Sequence, residues 1–519
     1  MLRLVVALAL GAALAPLSAA IKDPIRVTGG LISGVPATDS AVRVYKGIPY
    51  AAPPTGNLRW RPPAPVAPWQ GLRRADEFSP SCMQTIRDQN RPWTHEFLPH
   101  NFVSEDCLYL NVWTAAASAG ERRPVLVWIH GGANMDGGSS VALYDGEQLA
   151  KKGLVVVTIN YRVNIMGFFA HPELTRESER HASGNYGLLD QVAAIRWVKD
   201  NIAAFGGDPD RVTVGGQSAG ASNTHVLTAS PLAKGLLHRA IAQSGSGVTS
   251  GSARRLADAE AEGAKFAEAK GARSLAELRA MSWQELMAPL KAGGAAPRFN
   301  VVVDGYLLPA PVAEVFAQGR QNDVPTLTGW TADEGGASPR PKITLAAYQE
   351  RVRQRAGELA DTLLRLYPAS NDEEAAKAQN DMARDQQRVS TYLWAVNRAK
   401  TAKTKVYTYY WTHPLPGPEA AELGAFHSSE LPYMFNSLSR SDRPFTAEDR
   451  RIAEIMSSYW ANFVATGNPN GKGLPYWPPV DEKPGFTMEL GTRFQPIPLA
   501  GSPAKQQALE KLLAPARAD

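Results

Sequence analysis

The chain has 519 residues, 44% hydrophobic and 20% charged, a balance that supports a sizeable packed core and excludes a largely disordered polymer. Its net charge of +5 comes from 55 Lys and Arg against 50 Asp and Glu. With no long basic run, nucleic-acid binding is excluded as a main role, and the pI near 9.0 gives only a slight tilt toward anionic substrates.

At the start, Arg3 precedes an apolar run over residues 4–14, and the small residues Ser18 and Ala20 suit a signal-peptidase site. The run is shorter than the ~20 apolar residues that span a bilayer. The sequence therefore predicts a signal peptide over residues 1–20, removed after Ala20, in preference to an uncleaved anchor. Cys82 and Cys107 agree with export, since an oxidising compartment lets them close one short loop; the alternative is two separate buried thiols. No Asn-x-Ser/Thr acceptor occurs, which points to bacterial secretion into the periplasm or medium. No later segment reads as a membrane span, and no repeat or linker divides residues 21–519, which form one large domain.

Along that domain, residues 124–130 (PVLVWIH), 154–161 (LVVVTINY) and 211–216 (RVTVGG) predict buried strands. Residues 187–205 predict the helix between the last two, with Leu188, Val192, Ile195 and Val198 three to four residues apart. Strand, helix, strand in that order means parallel strands joined by right-handed crossovers. Residues 239–243 and 324–329 predict further strands. Residues 253–290 and 345–401, rich in Ala, Glu and Arg at helical spacing, predict helices that either cap the active edge of the sheet or pack on its flank.

Two motifs sit at strand ends. Gly216-Gln217-Ser218-Ala219-Gly220 follows a predicted strand and precedes an apolar stretch. A serine there stands on a tight strand-to-helix turn that lifts its hydroxyl clear of the sheet, and the flanking glycines avoid collisions with neighbouring backbone. His130-Gly131-Gly132-Ala133 closes an earlier strand. Acyl transfer needs N–H groups aimed at the oxygen that turns negative; a small-residue loop supplies two and Ala219 the third, each worth ~3 kcal/mol in the transition state.

A serine hydroxyl also needs a base. The elbow order of serine, acid, histidine leaves His225, His238, His413 and His427. The first two follow the serine too closely to admit an intervening acid strand, and His413 ends a β-like run where a structural role fits better. His427 lies among small residues (GAFHSSE) that suit a mobile base. For the acid, Asp333 and Glu334 both follow the strand at 324–329, and spacing alone leaves the choice between them open.

These residues resemble the type-B carboxylesterase and cholinesterase-like family. The resemblance is carried by YKGIPYAAPPTGNLRWRPP (45–63), SEDCLYLNVW (104–113), WIHGG (128–132), NYGLLDQ (185–191), FGGDPDRVTVGGQSAGA (205–221), DEG (333–335), HSSELPYMF (427–435) and ATGNPN (465–470). It implies an α/β-hydrolase fold: a large, mostly parallel sheet with flanking helices and helical cap or insert segments. By the same resemblance Ser218 matches the nucleophile, Glu334 rather than Asp333 the acid, and His427 the base. Gly132, Ala133 and Ala219 match the oxyanion donors, Cys82 and Cys107 the first disulfide, and Arg59 with Glu105 a buried ion pair steadying that loop.

The departures concern the pocket. Gln217 stands where the family usually has glutamate, which removes a negative charge beside the serine. Ala133 replaces a common third glycine without touching the N–H. Phe97 falls where cholinesterases place a tryptophan, and phenylalanine is the weaker cation–π partner, so a choline ester is not expected. The chemistry implied is serine-dependent hydrolysis of a small-molecule carboxylic ester through an acyl-enzyme, with no metal or organic cofactor. A non-catalytic binding protein of the same fold, and an amidase or thioesterase using the same residues, are the competing readings. The particular ester and the oligomeric state are not legible.

Overall fold

The structure, a computed structural model, describes residues 21–245, 254–291, 297–334, 338 and 342–514. The expected signal peptide, residues 1–20, lies outside the described residues.

One 11-stranded sheet carries the fold. Its strands are β1 (Val35–Pro36), β2 (Arg43–Pro49), β3 (Tyr109–Thr114), β4 (Arg123–Ile129), β5 (Val155–Ile159), β6 (Gly207–Gln217), β7 (Arg239–Gln243), β8 (Thr326–Thr331), β9 (Val406–Trp411), β10 (Phe486–Leu490) and β11 (Phe494–Pro498). In space they run β11-β10-β9-β8-β7-β6-β4-β5-β3-β2-β1. From β5 through β4, β6, β7, β8 and β9 to β10 every pair is parallel. Antiparallel strands close both edges. The expected α/β-hydrolase architecture is the one observed.

Period-two alternation of side chains divides the core. On β4, Val125, Val127 and Ile129 enter one apolar cluster, while Leu126 and Trp128 enter another on the opposite face. On β5, Val155, Val157 and Ile159 join the first cluster and Val156 the second. Both faces are therefore buried, which explains why these strands read as unbroken apolar runs. At ~25 cal/mol per Å², a fully buried Val, Leu or Ile contributes about 1.5–3 kcal/mol.

Helices cover the two faces. α1 (Tyr186–Asn201) buries Leu188, Val192, Ile195 and Val198, the stripe expected from spacing. α2 (Ala219–Ala229) follows Ser218 directly and packs on β6 and β7. The helical segments expected over 253–290 and 345–401 include α3 (Leu256–Ala269), α4 (Leu345–Ala356) and α5 (Asp372–Ala399). α5 packs on β8 and β9, and α6 (Ala447–Thr466) on β4 and β6. Of the arrangements left open by the sequence, α5 takes the flank, and none of the residues described in α3, α4 or α5 lines the cavity that contains Ser218. No helix among the described residues is long and apolar enough to cross a membrane.

Strand limits shift from expectation for local reasons. β8 begins at Thr326 rather than residue 324, because Pro325 has no N–H to offer a ladder. β6 begins earlier, at Gly207, through a register break between Gly207 and Val212. The carboxyl ends of β4, β6, β7 and β8 come into line, with Gly216 beside Ile129, and Gln243 beside both Gln217 and Gly329. Loops leaving these ends meet at one place, the usual ligand edge of an open parallel sheet.

Candidate active site

Ser218 stands between β6 and α2 at φ 59° and ψ −122°, a conformation that L-residues adopt only under constraint. The turn is closed by Ser218 N–H donating to the Gln243 carbonyl at 2.8 Å. Its glycines are sterically required. A Cβ on Gly216 meets the Gly220 carbonyl carbon at 2.5 Å, and one on Gly220 meets the Ile129 carbonyl oxygen at 2.1 Å.

The loop leaving β4 folds back on itself. Gly132 has φ 105°, and Ala133 and Asn134 follow at φ 55° and 56°. Met135 and Asp136 both donate their N–H to the Gly132 carbonyl, at 2.8 and 3.1 Å. Asn134 is held by its own carbonyl, which accepts from Asn164 N–H at 2.6 Å, and by the side chain of Asn223. Among the described residues no acceptor engages the N–H of Gly132, Ala133 or Ala219. His130 supports this loop from behind: it is buried, stacked on Tyr161 at 4.3 Å, and its Nδ1 lies 2.8 Å from the Gly131 carbonyl. Burial lowers its pKa to about 4, which keeps the ring neutral.

Glu334 follows β8 and is buried. Its Oε1 accepts from Ser244 Oγ at 2.6 Å and from Thr331 N–H at 2.7 Å, and its Oε2 contacts His427 Nδ1. Burial pushes the Glu334 carboxyl up, but His427, Ser244 and Thr331 together outweigh it and hold the pKa below its ordinary value. Burial presses the His427 imidazole toward its neutral form; the charge and hydrogen bond of Glu334 win and raise its pKa. Asp333 takes the neighbouring task. Its Oδ2 accepts from Ala425 N–H at 2.7 Å, its own N–H donates to the Ala425 carbonyl at 3.0 Å, and it pairs with Arg384 on α5. One acidic residue thus staples the histidine loop and the next meets the imidazole.

With Nδ1–H directed to Glu334, Nε2 of His427 is an acceptor. Gln217 donates to it from Nε2 at 3.1 Å, and Gln217 itself is buried. The amide beside Ser218, rather than the serine hydroxyl, therefore engages Nε2 in this structure. Trp93 fixes the loop from outside, its Nε1–H directed at both the His427 carbonyl and Ser428 Oγ at 3.1 Å.

The other histidines are occupied elsewhere. His225 is buried against Trp394 and its pKa falls to about 4 with burial. His238 Nδ1 accepts from Val212 N–H at 3.2 Å. His413 Nε2 lies 2.8 Å from Asp449 Oδ1, in the structural role expected of it.

Ser218, Gln217, Gly132, Ala133 and His427 line one cavity of about 320 Å³, with Phe97 on its wall against Phe426. Much of that wall comes from the loop closed by the Cys82–Cys107 disulfide, whose Cα atoms are 5.0 Å apart. Arg59 pairs with Glu105 beside it, Nε donating to Oε2 at 2.8 Å, and its Nη1 ties the turn to the carbonyls of Arg279 and Met281. Arg59 is buried and Glu105 only half-buried.

Several contributors escaped the sequence reading. Gln84 clamps the wall to the loop that leaves β4, exchanging both amide hydrogen bonds with Gly137. Ser244 follows β7 at the same sheet edge as Ser218 and Glu334, a position that could have marked it. Trp93, Arg87 and Arg298 carry no local signal. Among the described residues no group of three or more His, Cys, Asp or Glu is disposed to hold a metal.

The model of a family described as the carboxylesterase family matches residues 22–510. The chain is 36% identical over 504 residues to fumonisin B1 esterase of Sphingopyxis macrogoltabida, covering 93% of this chain and 90% of that protein. It is 35% identical over 495 residues to cocaine esterase of Homo sapiens, covering 89% and 87%. To liver carboxylesterase 1F of Rattus norvegicus it is 33% identical over 514 residues, covering 91% and 89%.

Proposed function

We propose, from the premise that this chain belongs to the carboxylesterase family and is a carboxylic-ester hydrolase, that Ser218 is its nucleophile, His427 its general base and Glu334 the acid that orients the base. The observation that carries this assignment is the contact of His427 Nδ1 with the buried Glu334 carboxylate, in the same cavity as Ser218.

In the first half-reaction Ser218 Oγ attacks the ester carbonyl carbon while His427 Nε2 takes the hydroxyl proton. For this the Gln217 amide gives up Nε2 to the serine. Glu334 stabilises the resulting imidazolium and keeps its Nδ1–H in place. The carbonyl oxygen, now negative, collects the N–H groups of Gly132, Ala133 and Ala219, which no other acceptor engages among the described residues. Collapse expels the alcohol with the proton from His427. Water, deprotonated by the same imidazole, then releases the acid from Ser218.

Residues 21–519 act as one catalytic domain on a small carboxylic ester. The chain is exported, with residues 1–20 as its signal peptide and the periplasm or medium as its destination. The Cys82–Cys107 disulfide supports export, because such bonds persist in oxidising compartments.

The test is hydrolysis of p-nitrophenyl acetate and butyrate by wild type beside Ser218→Ala. Turnover by wild type and its loss in the variant is expected. Equal turnover by the two proteins would refute the assignment.

A further inference from the structure

We propose that the mouth of the active cavity, through Arg87 and Arg298, recognises an ester that carries a carboxylate group. The inference rests on the esterase reading above and adds to it the charge of the substrate.

The charges that face the cavity among the described residues are few. Besides His427, its walls hold Arg87, Arg298 and Asp136. Next to the nucleophile stands the neutral amide of Gln217, and the aromatic rings on the wall are Trp93, Phe97 and Tyr144. The mouth is different. Arg87 Nη1 is 3.9 Å from Asp136 Oδ2, an ion-pair distance but too long for a hydrogen bond. The Arg87 side chain is 52% exposed. Arg298, also exposed, has no carboxylate within ion-pair distance among the described residues. Two guanidinium groups, each with five N–H donors, thus face one carboxyl group between them.

That carboxyl group sits on the turn of the loop that leaves β4. Asp136 belongs to the turn of the oxyanion loop, and its Oδ1 lies 2.5 Å from where a Cβ on Gly132 would sit. Burial raises its pKa, while the charges of Arg87 and Arg298 draw it down. With one carboxyl group for two guanidinium groups, donors of both arginines remain for whatever enters the cavity. The surplus of positive charge lines the same cavity as Gly132 and Ala133, whose N–H groups are proposed to hold the oxyanion. A substrate whose acyl or alcohol half ends in a carboxylate satisfies those donors, and arginine offers the planar fork that binds a carboxylate through two parallel hydrogen bonds.

The experiment compares two esters matched in acyl backbone, p-nitrophenyl butyrate and the mono-p-nitrophenyl ester of glutaric acid, on the mature chain. The readout is the ratio of kcat/KM, acidic ester over neutral ester, so a loss common to both cancels. In the double variant Arg87→Gln/Arg298→Gln the ratio is expected to fall about tenfold, through KM, with each single variant between. In wild type the ratio also falls with added salt, which screens exposed charges. Inhibition of p-nitrophenyl butyrate turnover by free glutarate gives a second measure, its Ki rising by the same factor in the double variant. A ratio and a Ki left within about twofold by the double substitution overturn the proposal. So does an equal loss on both esters, which would assign the arginines to balancing Asp136. Failure of the esterase reading itself is distinct: it appears as turnover that survives Ser218→Ala.

Discussion

Gln217→Glu is the most informative single substitution, because it changes the charge beside the base and little else. The amide Nε2 sits 3.1 Å from His427 Nε2, inside a buried setting. A carboxylate there attracts the imidazolium with at most ~5 kcal/mol at an effective dielectric near 20. Desolvation of the new carboxylate cancels much of this, leaving ~1.4–3 kcal/mol, or about one to two pKa units at 1.36 kcal/mol each. The sign follows from which form is favoured. Glu334 already raises the His427 pKa, and a second carboxylate raises it further. Since the base works only when neutral, the acid limb of kcat/KM moves to higher pH. The assay is p-nitrophenyl butyrate hydrolysis by wild type and variant from about pH 5 to about pH 9. An acid limb that stays put, or moves to lower pH, would refute the reasoning that Gln217 acts on the charge state of the base.

Ser244→Ala removes the 2.6 Å hydroxyl contact to Glu334 but leaves the Thr331 N–H. A hydrogen bond to a charged group contributes about 1.5–3 kcal/mol, so Tm and kcat both fall. Glu334 is held below its ordinary value of 4.5; its contribution to stability is therefore complete above that pH and is lost as pH drops through the folded value. The Tm gap between wild type and Ser244→Ala should accordingly narrow only below that pH, and a gap constant across pH would count against this source. Cys82→Ala/Cys107→Ala opens a loop with a sequence separation of 25, for which loop-closure entropy predicts a loss of about 3.5 kcal/mol, read as a lower denaturant midpoint; an unchanged midpoint would contradict it. Trp93→Phe deletes the N–H shared by the His427 carbonyl and Ser428 Oγ. It is expected to lower kcat severalfold with little change in KM, consistent with about 1 kcal/mol for one hydrogen bond, and a change confined to KM would argue against a role through His427.

What was legible in the sequence was what backbone geometry writes into local pattern. Buried parallel strands appear as unbroken apolar runs, so β4, β5 and β7 were placed within a residue or two. The serine turn and the loop after β4 were legible because both need small residues where backbone meets backbone, as at Gly216 and Gly220. The choice between Asp333 and Glu334 was not: adjacent carboxylates with equal spacing differ only in where the chain turns them, one to Ala425 and Arg384, the other to His427. Family resemblance supplied the preference for Glu334. Trp93, Gln84 and Arg87 were invisible because their partners lie far along the chain, 334 residues away in the case of Trp93 and His427. The capture of His427 Nε2 by Gln217 was likewise beyond reach, since the sequence shows only which residue precedes the serine. The helical segments could be recognised as helices, but the placement of α5 on the flank is decided by tertiary packing.

The central claim is that Ser218 forms the covalent intermediate. The most direct measurement is peptide-level mass spectrometry of the intact chain after reaction with a serine-directed organophosphonate, for wild type and for His427→Ala. A single adduct on Ser218 is expected in wild type, formed in step with loss of esterase activity, with labelling slowed by orders of magnitude in His427→Ala. An adduct on another serine that tracks the loss of activity would contradict the claim.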